Sequence, residues 1–137
     1  MSFSNAAETA VLDQIFKATA LPWNANTDLW LALYTADPGE AGTAITTEAA
    51  YGSYARVAVT RATDFTVAGN QVSNTNLEQF PQCTSGSETI TYAAIVTTAS
   101  GAGTIIVRAA LNTSIPVSTD IQPQFGANTI DITVVDA

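Results

Sequence analysis

The sequence predicts a mainly β protein, an antiparallel β-sandwich or jelly-roll-like barrel with one N-terminal α-helix. Three observations carry that prediction. From residue 28 onward the apolar residues recur in period two, in seven or eight short runs set apart by Gly, Pro, Ser and Asp. Only one segment, near the N-terminus, has a helical period. The composition combines 21 threonines and 9 serines with only 12% charged residues, about half the usual share. A surface made of Thr, Ser, Asn, Gln and backbone suits β structure better than long solvated helices. The 137 residues read as one domain, 1–137, long enough to bury a core without disulfides or a structural metal.

The helix is expected over about 5–18. At 100° per residue Val11, Leu12, Ile15 and Phe16 share one wide stripe, flanked by Ala7 and Ala18, with Ala10, Asp13, Gln14 and Lys17 opposite. That stripe needs a cover, expected from a face of the sandwich, with a neighbouring subunit as the alternative. Glu8 falls inside it, three residues after Asn5, in position for a capping box. Asp13 and Lys17 form an i, i+4 pair, and Pro22 limits the helix at its far end.

Strands are expected from 28 to 135. In Asp28–Thr35, Leu29, Leu31 and Leu33 face one way and Trp30, Ala32 and Tyr34 the other, so both faces are apolar and the strand must be covered twice. Residues 36–53 hold Asp-Pro-Gly and two further glycines, a long excursion with turn chemistry. Tyr54–Arg61 alternates with Val57 and Val59 inward; weaker runs follow at Asp64–Val67, Gln71–Ser73 and Leu77–Phe80. Thr89–Thr97 and Thr104–Leu111 flank the Gly- and Ser-rich Thr98–Gly103 as a hairpin. Pro116 and Pro123 confine any strand in 112–126 to an edge, and Thr129–Val135 closes the chain.

Charge excludes several functions. Twelve acidic residues against Lys17, Arg56, Arg61 and Arg108 give a net charge of −8, which repels nucleic acid and anionic membrane surfaces. No run approaches a transmembrane length, and the N-terminal residues lack the basic region of a signal peptide. The lone Cys83 fits synthesis in a reducing compartment.

Catalytic parts are equally scarce. Without histidine there is no Ser-His or Cys-His pair and no imidazole metal ligand. Lys17 reads as a solvated ion-pair partner, Cys83 as a small apolar residue, and the scattered acids as surface groups. Asp37, Glu40 and Glu48 share the long loop, but their spacing matches no calcium loop. The expectation is a protein without enzymatic activity, cofactor or metal. Arg56 and Arg61 lie five apart on one strand and point to opposite faces, each toward a carboxylate of its own chain or of another copy.

The order of segments resembles a family of small tailed-phage virion proteins labelled tail fibre or head decoration proteins. The resemblance rests on the Ala-rich helix, on Leu29-Trp30-Leu31-Ala32-Leu33-Tyr34-Thr35-Ala36-Asp37-Pro38, and on Gly52-Ser53-Tyr54-Ala55-Arg56-Val57-Ala58-Val59-Thr60. The hairpin Tyr92–Ala110 and the closing strand near Asn128–Val135 complete it. The chain departs from the family at Ala94-Ile95-Val96-Thr97 and at Ser118-Thr119-Asp120.

The resemblance implies a structural component of a bacteriophage virion, made in the host bacterial cytoplasm. The leading expectation is a capsid decoration (cement) protein, a trimer laid on the major capsid protein; the alternative is a tail fibre or tail-tip component. A sugar- or receptor-binding role would use Trp23, Trp30, Tyr51 and Tyr54 as stacking faces. Contacts with other copies are expected from the loop 36–53, the strand of Arg56 and the segment Ile115–Phe125. The interface candidates are Asp37, Glu40, Tyr51, Tyr54, Arg56, Arg61, Arg108 and Phe125.

Overall fold

The chain opens with a two-residue strand, β1 (Ser2–Phe3), and the helix α1 (Asn5–Lys17). It continues through β2 (Asp28–Tyr34), β3 (Val57–Thr60), β4 (Phe65–Ala68), β5 (Gln71–Asn74) and β6 (Glu78–Gln79). The last four strands are β7 (Glu88–Val96), β8 (Ile105–Val117), β9 (Gln124–Phe125) and β10 (Asp131–Thr133). This computed structural model describes residues 2–134 and is mainly β. The expected end of the closing strand, Val135, lies outside the described residues.

Five strands form one antiparallel sheet in the order β1-β8-β7-β2-β3; β10-β5-β4 and β6-β9 make two smaller sheets. Residues of all three share one core: Leu31, Leu33, Ile90, Ala93, Ile95, Val107 and Val117 from the large sheet meet Ile132, Phe80 and Cys83, with Phe65, Val72 and Phe125 at the margin. Burial of that apolar area is the main force holding the sheets face to face. The double apolar pattern of β2 is explained by its place. It lies between β7 and β3, with Leu31 and Leu33 in this core and Ala32 and Tyr34 in a second cluster with Ala44, Ala94, Val96 and Ile105 on the other face.

The hairpin β7–β8 is longer than its sequence pattern. Its second strand continues to Val117, and between Ile90 and Tyr92 the paired residue on β8 jumps from Ile115 to Ala110. The exposed Asn112, Thr113 and Ser114 bulge out while Ile115 and Val117 return to the core side, so Pro116 sits where no strand covers the outer edge. The strand expected over Tyr54–Arg61 shortens to Val57–Thr60, because the Tyr54 N–H closes a turn on the Tyr51 carbonyl.

The helix forms where expected but turns differently. Ser4, not Asn5, is its cap: the Ser4 hydroxyl accepts from the Ala7 N–H at 3.2 Å and donates to the Ile105 carbonyl. With the Asn5 N–H on the Glu40 carbonyl at 3.3 Å, these bonds fix the helix's rotation. Ala7 and Ala10 go inward onto Trp23, with Phe3, Leu21, Leu29 and Ile106 around them. The stripe expected to dock on the sandwich is left outside: Val11 is 38% exposed, Leu12 56%, Ile15 65% and Phe16 78%. Small residues let the helix backbone approach the sheet closely, and the large ones face solvent.

Candidate functional site

Each sequence-predicted interface residue can now be placed. Arg56 is interior, its side chain only 2% exposed. Its Nε and Nη2 donate to the two oxygens of Glu48 at 2.7 and 2.8 Å, a bidentate pair. Nη1 donates to the Thr98 carbonyl and hydroxyl at 2.9 and 3.0 Å, and Nη2 also meets the carbonyls of Gly101 and Ala44 at 2.8 and 3.3 Å. One guanidinium therefore ties the long loop to the β7–β8 turn. The Glu48 carboxylate beside it raises its pKa above the ordinary arginine value. Of the two fates open to Arg56 in the sequence, the intramolecular one is realised, and no donor remains for another copy.

The tyrosines belong to the same lock. Tyr54 donates to Glu48 at 2.9 Å and accepts the Leu33 N–H at 3.1 Å; Tyr34 donates to the Ala44 carbonyl at 2.8 Å. Tyr51 is buried, donating to the Pro81 carbonyl at 2.8 Å, while its N–H and that of Ala50 share the Glu88 carboxylate. Burial raises the phenol pKa values of Tyr34 and Tyr54, and that of Tyr51 to about 12. The residues offered as sugar-stacking faces are turned in: Trp23 and Tyr51 are buried, and Trp30 and Tyr54 pack against the core clusters. Phe125 is half-buried, edge-on to Phe80 with ring centroids 6.2 Å apart.

The structure brings three candidates together on the surface. Arg108 reaches Asp37 at 3.0 Å and Glu40 at 3.7 Å, both in the long loop and both partly exposed. Arg61 stands apart: its Nη1 points at the carbonyls of Trp23, Asn24 and Asn26 at 2.9–3.1 Å. Among the described residues no carboxylate pairs with it.

Two of the expected contact segments are also fastened into the fold, with Ile45 and Ile121 left exposed. The loop 36–53 buries Ala44, Ala49 and Tyr51, and the segment Ile115–Phe125 buries Val117 and Pro123 and bonds its backbone to Phe80 and Cys83. The irregular spacing there reflects polar side chains bonding to backbone, which period counting does not register.

The larger open apolar surfaces lie elsewhere. Besides the α1 stripe, an apolar groove of about 400 Å³ runs between the large and the three-stranded sheet, walled by Leu29, Phe65, Val67, Val72, Ile106 and Val134, with Arg61 at its rim. A second groove of about 440 Å³ lies under the β8 bulge, between Leu111, Phe125 and Asp131. The sequence marks the residues of the stripe, but the cover first expected for them, a face of the chain's own sandwich, is not the one the structure provides. The signal that separates the two readings is Glu8, a carboxylate inside the stripe that an inward-facing helix would have to bury.

Neither groove gathers chemistry. Among the described residues no three His, Cys, Asp or Glu side chains cluster in a way that could hold a metal. Glu78, whose carboxyl is pushed up by burial and by the nearby Asp64 charge, lines neither groove. No helix among the described residues is long and apolar enough to cross a membrane. A family model described as podophage GP4 fiber I protein gp80 matches residues 2–133. No curated protein matches the chain.

Proposed function

We propose, from the premise that this chain belongs to the podophage fiber I protein family and is a structural component of a phage virion, that it serves in a tail fibre as a non-enzymatic subunit. The observation that carries the tail assignment is the fibre designation of a family model spanning 2–133, nearly the whole chain. It favours the tail fibre over capsid decoration.

The geometry supports a mechanical role. Among the described residues, the groups with shifted pKa values are Tyr34, Tyr51, Tyr54 and Arg56, which hold the loop 36–53 in place, and Glu78, near Asp64. None of them lines either groove, and the one nearby thiol, Cys83 beside Tyr51, is buried with it, whereas a reaction would need such groups in an accessible cleft. A sugar-binding role finds no support in Trp23 or Tyr51, whose ring faces are buried. The reducing interior of the host cell suits the single buried thiol of Cys83 during synthesis.

Quantitative mass spectrometry on separated heads and tails of the phage that encodes the chain tests the assignment. A small fixed number of copies, all with the tails, is expected. Hundreds of copies with the heads would overturn the fibre reading in favour of capsid decoration.

A further inference from the structure

The groove between the two sheets and the outer face of α1 are complementary, and we propose that the helix stripe of one copy of this chain seats in the groove of a second copy. The stripe consists of Val11, Leu12, Ile15 and Phe16, between 38% and 78% exposed. Together they present on the order of 400 Å² of apolar surface, comparable to the largest patch on a typical soluble monomer, which often carries function. That is about half of the ~800 Å² that each partner contributes to a standard interface, as expected for an apolar centre with a polar rim. The groove offers the matching feature: Phe65, Val67, Val72 and Val134 form an open apolar channel, with Val67 75% and Val134 56% exposed.

Charge selects the partner. The chain carries −8, so most of its surface repels a second copy. The groove differs from most of that surface by carrying a cation. Arg61 is the only charged side chain lining the groove among the described residues, and no carboxylate there pairs with it. Glu8, exposed in the first turn, lies at the N-terminal end of the stripe, while the helix's other charges, Asp13 and Lys17, are paired at 2.9 Å. An apolar groove with one arginine at its rim and an apolar helix face with one unpaired carboxylate are thus present once each per chain.

The helix cannot reach its own groove. Its inner face rests on Phe3, Leu29 and Ile106, residues that also wall the groove, and the stripe points away from them. The contact must be made with another molecule. Because it joins two different patches it is head-to-tail, giving a ring if the rotation closes and a filament if it does not.

The test uses the full chain. Phe16→Cys and Val67→Cys proteins are purified separately, mixed and oxidised; the native Cys83 is buried and takes no part. A disulfide joining the two introduced thiols, one from each protein, is expected to dominate over like-with-like cross-links. Sedimentation of the unmodified chain should show concentration-dependent association, weakened at least about tenfold by Phe16→Asp and by Val67→Asp. Both positions are exposed, so far-UV circular dichroism should be unchanged. A monomer at all concentrations, or cross-links only between like residues, overturns the proposal. The contact does not depend on where in the virion the chain sits, so a monomer found with tails removes the contact and leaves the fibre reading in place.

Discussion

The loop between β2 and β3 and the helix α1 invert the relation between sequence regularity and exposure. The loop, residues 36–53, is the least patterned stretch of the chain, yet it holds three core residues and is bonded along its length to strands and turns. The helix is the most regularly patterned amphipathic segment, yet its large apolar residues face solvent. Periodicity reports that an apolar face exists and says nothing about which molecule covers it. Irregularity reports that no single repeat governs a segment, and polar side chains that bond to backbone produce it as readily as a mobile binding loop.

The strongest way to break this comparison is to cut the loop's anchor. Arg56→Ala leaves the Glu48 carboxylate with only the Tyr54 hydroxyl from the lock, and strips donors from the carbonyls of Ala44, Thr98 and Gly101. Removing one member of a buried ion pair costs about 3–5 kcal/mol. Urea denaturation followed by circular dichroism should show that loss; a change below about 1 kcal/mol would mean that the loop is held by its apolar contacts instead.

Alkali attacks the same lock. Tyr34, Tyr51 and Tyr54 have phenol pKa values raised by burial, Tyr51 to about 12 and the others higher. A group whose folded pKa exceeds its unfolded value favours the fold fully below the unfolded value and loses that contribution as pH rises through the folded one. Stability should therefore hold to about pH 10, the ordinary tyrosine value, and fall above it. Tyrosinate absorbance and the near-ultraviolet dichroism should change together; three phenols titrating near pH 10 in an intact fold would contradict the buried lock.

The helix supplies the opposite probe, at its inner face. Ala10→Leu forces three extra carbons between α1 and Trp23, and overpacking of this kind costs about 1–3 kcal/mol. Thermal unfolding reads it. An unchanged melting temperature would show that the helix can pivot and that Ser4 does not fix its rotation.

How much of this was legible in the sequence follows from the kind of signal involved. The period of β2 located a strand covered on both faces, and Asp13–Lys17 located an exposed helical pair, because both depend on neighbours in sequence. The β1 strand, two residues long, was not expected, since it exists only through its pairing with Val107 and Arg108. Arg56 and Glu48 are eight residues apart with no periodic relation, and their pairing becomes visible only when the loop folds back on β2. The helix's inner face was misassigned because Ala7 and Ala10 carry little apolar weight beside Leu12 and Phe16, although small size is what allows close docking.

A smaller effect sharpens the comparison at a third place. Glu78 is buried, and burial together with Asp64 raises its pKa, so its charged form is disfavoured in the fold. Stability from this group is greatest below the unfolded carboxylate value and declines as pH rises through the folded one. Glu78→Gln should then raise stability at neutral pH by up to about 1 kcal/mol and make no gain at pH 4. Equal gains at both pH values would place the cause in packing rather than in charge.

The smallest expected effect is the most diagnostic. In a core, removing the Phe16 ring would cost about 3–5 kcal/mol. Here the side chain is 78% exposed, so Phe16→Ala should change the unfolding free energy of the isolated chain by no more than about 0.5 kcal/mol, measured at dilution, where chains do not associate. The difference between those figures comes from the direction in which Ser4 turns one helix. An exposed aromatic that adds nothing to the stability of its own chain can contribute to free energy only through contact with another molecule. If Phe16→Ala instead destabilised the dilute chain as a core substitution does, the stripe would be covered from within, and the helix would no longer be the outward-facing region that contrasts with the loop.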